Sequence, residues 1–210
     1  NVIDCCSNDG HEKNIMSKAP RGNDDPLLNS FVITRYFIIG TYVGISTIGI
    51  FAYWYLFFNH PDGHSLIGWD KLTNWSKCET WKDFSVNSFA GLDLSSSPCK
   101  YFTEGKKKPV TLSLTVLVII EMFNAMNAIS DEESILVVHP FKNIYLCIAI
   151  LCSVTVHCMI LYIPFFNEVF GILPLDISEW ILVLKFSIPV VLIDEFIKLY
   201  CRTIAKGKVS

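Results

Sequence analysis

The residues whose chemistry stands out are Glu121, Asn124 and Asn127. They recur at every third position in a stretch, from Val110 to about Ile129, that carries no other charge. Side chains three apart lie on one face of a helix, so the three make a polar edge on an otherwise apolar cylinder. A carboxylate and amide oxygens are hard donors of the kind that a cation such as calcium requires. A Glu inside a membrane-length apolar run usually faces a bundle interior and marks an ion path or proton relay. The bland alternative is a protonated Glu hydrogen-bonded to a neighbouring helix.

Other polar residues in apolar surroundings are weaker candidates. His157 is lone, and a hydrogen-bonded packing role is its ordinary reading. Lys185 can extend its amine to a membrane interface or pair with an acid. Asp194, Glu195 and Lys198 read by default as solvated or mutually paired charges near a helix end. The sequence has no glycine-rich phosphate loop, nucleophile-and-base pairing or zinc-ligand spacing, so this chain by itself has nothing with which to hydrolyse ATP.

These residues need membrane helices to position them. Hydrophobic residues make up 51% of the 210 positions and charged ones 18%; mean hydropathy is +0.41. A soluble domain of this size has too small a core to hide so many long apolar runs. A bilayer core needs about 20 apolar helical residues to cross it, and four stretches qualify. They imply an all-α membrane protein, organised as a four-helix transmembrane bundle. Its spans are residues 31–58, 110–129, 144–163 and 180–200; the others are a cytosolic segment 1–30, a luminal loop 59–109, a cytosolic loop 130–143, a luminal loop 164–179 and a cytosolic tail 201–210. Asp176 to Glu179 offers a capped start for the last helix, and Pro189 should kink it. Gly40 and Gly44 form a small-xxx-small face suited to close helix packing. The formal net charge of −3 makes no case for nucleic acid. The chain opens on Asn1 with no signal-peptide pattern, which suggests a fragment or a processed product.

Four spans place both termini on one side of the membrane. Lysine and arginine favour a cytosolic location for that side only narrowly, and the run Lys106-Lys107-Lys108 beside Pro109 argues against it. Cys78 and Cys99 are the only cysteines in the long loop. If the loop is luminal, a disulfide between them is the natural reading, with two free thiols as the alternative. Asn74-Trp75-Ser76 is a glycosylation sequon in the same loop, which favours a luminal location without showing that sugar is attached.

Specific strings carry a family resemblance. Thr115 to Asn127 (TVLVIIEMFNAMN) closely resembles the eighth transmembrane helix of sarco/endoplasmic-reticulum-type calcium ATPases. Ile39 to Gly44 is similar to their seventh, and Leu182 to Glu195 to their tenth. Ile15-Met16 and Ala19-Pro20-Arg21 resemble the end of the cytosolic loop after the sixth, although only Glu12 keeps an acid ahead of that Pro-Arg. The triple lysine is a further departure.

The resemblance implies the last four helices of a ten-helix P-type pump in the endoplasmic or sarcoplasmic reticulum membrane. Calcium would be the transported ion and Glu121 one ligand, with Asn124 as a neighbour. Helices four to six of the pump would supply the other ligands, and ATP and magnesium would bind only outside this chain. A luminal disulfide, here Cys78 with Cys99, is also implied. The partners would be the lipid bilayer and the rest of the pump. Two rival readings stand beside this one: a stand-alone truncated membrane protein with an interaction role and no transport, and a passive cation pathway lined by Glu121 and Asn124.

Overall fold

The computed structural model describes residues 30–59, 63–81, 84–89, 91, 92, 94, 97–128 and 143–207, and among these the chain is all-helical apart from an isolated bridge between Phe89 and Leu92. The sequence landmarks from Glu12 to Arg21 lie outside the described residues. The helices are α1 (Ser30–Leu56), α2 (Trp69–Thr73), α3 (Lys100–Thr103), α4 (Lys107–Asn127), α5 (Ile144–Tyr162), α6 (Pro164–Phe170), α7 (Ile177–Ser187) and α8 (Pro189–Gly207), with a 3-10 segment at Trp75–Thr80.

Three stretches, Ile33–Leu56, Lys100–Asn127 and Ile144–Tyr162, are long and apolar enough to cross a membrane. Several of their hydroxyls turn back on their own backbones. Thr41 donates to the Phe37 carbonyl at 2.8 Å, Thr111 to Lys107 at 2.7 Å and Thr115 to Thr111 at 2.8 Å. This satisfies a polar group where no water is at hand.

The stretch expected as a single helix over 180–200 is two helices. Helix α7 ends at Ser187, Ile188 forms a turn, and Pro189 opens α8. Proline has no N–H to donate into the preceding turn, whereas at a helix start that N–H is not needed. Ser187 Oγ donates to the Val183 carbonyl at 2.9 Å, and Val191 N–H reaches back to Ile188 at 3.0 Å. At the other end of α7, Asp176 N–H donates to Glu179 Oε2 at 2.8 Å, the side-chain-to-backbone half of the expected capping arrangement.

Two compact units divide the chain. One takes its described residues from 1–43, 120–153 and 188–210, the other from 44–119 and 154–187. The second unit has an aromatic core. Trp54 stacks on His64 with centroids 4.0 Å apart, and Tyr101, fully buried, donates its hydroxyl to the Ser65 carbonyl at 2.7 Å. Cys78 and Cys99 are joined by a disulfide with Cα atoms 5.7 Å apart. Between α3 and α4 the chain turns at Gly105, where a Cβ would collide with the Tyr101 carbonyl. Only glycine fits that approach.

Candidate ion site and its buried charge clusters

Helix α4 has a dry face and an open face. Leu112, Val116 and Ile120 are fully buried, while Val110, Leu114, Leu117 and Glu121 are exposed at helical spacing. The carboxylate of Glu121 therefore lies on the open face. Below it the stripe turns inward: Asn124 is half-buried, and Asn127 is buried at 1% exposure. The Oδ1 of Asn124 and both side-chain polar atoms of Asn127 have no hydrogen-bond partner among the described residues. Leaving such a group unpaired inside a protein costs about 1–3 kcal/mol. No group of three or more His, Cys, Asp or Glu side chains among the described residues could hold a metal ion. Glu121 is thus a single donor here, and any complete cation site built on it needs oxygens from elsewhere.

The end of this stripe is gripped by a buried charge cluster in the same unit. Lys198 Nζ donates to the Asn127 carbonyl at 3.0 Å and lies 2.9 Å from Asp194 Oδ2. Arg35 Nε donates to Asp194 Oδ1 at 2.7 Å. The Asp194 and Lys198 side chains are fully buried and Arg35 is 11% exposed. The approach of Lys198 to Oδ2 is ionic and not aligned as a hydrogen bond. Asp194 and Lys198 are therefore not solvated end charges. Mutual pairing, one of their two default readings, holds, and α1 supplies a third member.

The second unit has its own buried pair. Lys108 Nζ lies 2.8 Å from Glu179 Oε2 and donates to the Pro174 carbonyl at 2.6 Å. The same segment is held at further backbone groups: Leu173 N–H donates to Thr111 Oγ1 at 3.2 Å, and Tyr162 donates to the Leu175 carbonyl at 2.9 Å. Lys108, which in the sequence looked like one of three excess lysines, is thus buried and neutralised.

His157 donates within the protein. Thr115 Oγ1 spends its proton on Thr111, so it can only accept from the imidazole, and Nε2 at 3.1 Å carries the hydrogen. This matches the packing role read from the sequence. Lys185 is exposed. At Gly40 and Gly44 an added Cβ would meet nothing within 4 Å; the glycine of α1 that a neighbour does approach is Gly49, 3.4 Å from Phe186 Cε1. Asn74 is exposed between α2 and the 3-10 segment, its amide donating to the Asp70 carbonyl at 3.0 Å.

The sequence reading missed the partners more than the residues. Lys108 and Glu179 were never paired in it, nor was Arg35 tied to Asp194. The available signal was the spacing of Asp194 and Lys198, four apart on one helix.

Bilayer-length helices, one bearing a carboxylate and amide stripe, describe a membrane-spanning segment. The chain matches the family model "Cation transporting ATPase, C-terminus" over residues 7–200, and it belongs to that family. It is 46% identical over 201 residues to the endoplasmic reticulum-type calcium-transporting ATPase 2 of Arabidopsis thaliana, covering 90% of this chain and 19% of that protein. Identity to a calcium-transporting ATPase of Plasmodium falciparum is 45% over 191 residues, with coverages of 91% and 15%. For the endoplasmic reticulum calcium ATPase srcA of Aspergillus fumigatus it is 39% over 188 residues, with coverages of 89% and 18%. The chain therefore spans less than a fifth of the length of these relatives.

Proposed function

We propose that this chain is the carboxy-terminal membrane part of an ATP-driven pump that moves calcium from the cytosol into the endoplasmic reticulum. Glu121 supplies one carboxylate to the transport site, with Asn124 beside it. The rest of the pump supplies the remaining ligands and the sites for ATP and magnesium. The observation that carries this reading is the exposure of Glu121 on a bilayer-length helix. A charged side chain near the bilayer centre costs about 2.5–3.5 kcal/mol even on the mildest scale, so this face is built to meet protein and ion, not lipid. Calcium as cargo is supported by the calcium-transporting relatives and by the oxygen-donor character of the stripe.

In the membrane, α1, α4 and α5 span and the broken pair α7 and α8 makes the fourth crossing, completing a four-helix bundle. Residues 1–30, 130–143 and 201–210 lie in the cytosol, and 59–109 and 164–179 in the lumen. Two observations favour this orientation. The Cys78–Cys99 bond belongs to an oxidising compartment, and burial of Lys108 against Glu179 removes one lysine from the count that opposed a luminal loop. The exposed glycines Gly40 and Gly44 offer a packing face to helices outside this chain.

Substituting Glu121→Gln and Glu121→Ala in the full-length transporter tests the ligand role. Equilibrium binding of radioactive calcium should show one site lost or weakened by about 100-fold or more, the scale on which removing a charged partner acts. Unchanged affinity and stoichiometry in both variants would overturn it.

A further inference from the structure

We infer that Lys198 is a positioning residue for the ion site: it sets the end of the helix that presents Glu121. The inference rests on the calcium-pump reading above and adds to it a residue that need touch no ion. Its basis is the place where the Lys198 amine donates. Asn127 is the last residue of α4, and the final carbonyls of a helix have no partner within it. Lys198 Nζ takes the carbonyl of Asn127 at 3.0 Å, six residues and less than two turns beyond Glu121. A cation at that end also meets the negative pole of the helix dipole.

The amine is itself fixed. Asp194 holds it from one turn earlier on α8, and Arg35 of α1 holds Asp194 through the other carboxylate oxygen. Asp194 and Lys198 have no side-chain exposure. A lysine used only to hold α8 to α1 would not need a backbone carbonyl of α4, since Arg35 already makes that link with Asp194. The direction of Lys198 toward α4 is what this arrangement adds. The Asn124 Oδ1 and the Asn127 amide, without partners among the described residues, lie on the same final turns, so a slip of that end would move them and Glu121 together.

The test uses the full-length transporter in membranes, with Lys198→Met, Lys198→Gln and Lys198→Arg. Two quantities are read: the calcium concentration giving half-maximal phosphorylation from ATP, and the phosphoenzyme formed from inorganic phosphate without calcium. Lys198→Met should raise the half-maximal calcium concentration by about tenfold, the size typical of losing a group that orients a metal ligand. Phosphoenzyme from inorganic phosphate should stay at the level of the unmodified pump, and Lys198→Arg should restore calcium dependence to within about threefold, since it keeps the donor and the charge. Unchanged calcium dependence in Lys198→Met overturns the inference, and so does an equal loss of both readouts, which is what a purely structural lysine predicts. Where the Met variant yields no folded pump, Lys198→Gln decides by the same split. Glu121→Gln run in parallel separates the two ideas: if it leaves calcium dependence intact, the ligand reading fails, whereas an effect there with none at Lys198 removes only the positioning role.

Discussion

The two buried charge clusters of this chain are built differently. Lys108 and Glu179 form a closed pair: one cation and one carboxylate, whose Oε2 also accepts from the Asp176 N–H while Lys108 also donates to the Pro174 carbonyl, and only Glu179 Oε1 is left without a partner among the described residues. Arg35, Asp194 and Lys198 form an open cluster, in which two cations share one carboxylate and the second cation reaches out to the end of α4. Buried ion pairs seldom add much net stability, because desolvation offsets the attraction, but removing one member strands the other. The closed pair therefore works as a local fastener for residues 173–176. The open cluster ends on the helix that carries Glu121, so its state is felt where function is proposed.

This contrast can be broken in order of effect. Asp194→Asn should be the most damaging, because it removes the carboxylate that Arg35 and Lys198 share. The loss expected is about 5 kcal/mol, the top of the range for breaking a buried pair. It should appear as faster thermal inactivation of the detergent-solubilised full-length pump, and an unchanged rate would show that Asp194 is not what holds the two cations. Lys108→Met should cost about 3 kcal/mol by stranding Glu179. The double change Lys108→Met with Glu179→Leu should recover most of that, because a closed pair can be exchanged for apolar packing. If instead the two losses add, the pair is not the closed unit described. Thr111→Val leaves the Leu173 N–H without its acceptor and should cost about 1 kcal/mol, the scale of one hydrogen bond. Hydrogen exchange at Leu173 should quicken in this variant and stay unaltered in Asp194→Asn, if the two clusters are as local as their partners imply.

Much of the architecture was legible because it rests on local pattern. The three bilayer-length helices are legible from run length; α4 itself begins at Lys107 and its membrane-length stretch at Lys100, where Val110 was read, since the apolar count ignores charged turns such as Lys107-Lys108 that go on to find a partner. The break before α8 follows from a proline without an N–H. The stripe of Glu121, Asn124 and Asn127 follows from helical periodicity. Burial along it did not, because exposure of the Glu and enclosure of Asn127 depend on which helices pack nearby.

What the sequence by itself determined is thus the three long apolar helices, a disruption at Pro189 and the polar edge on α4, all governed by neighbours within a turn or two. Tertiary structure alone decided which charges are silent and which are joined. Lys108 meets the Pro174 carbonyl across 66 residues, Lys198 meets Asn127 across 71, and Arg35 meets Asp194 across 159. No periodicity spans such separations. A charge in an apolar run announces that it needs a partner, because burying it alone is too costly, but only packing of the distant helices names the partner.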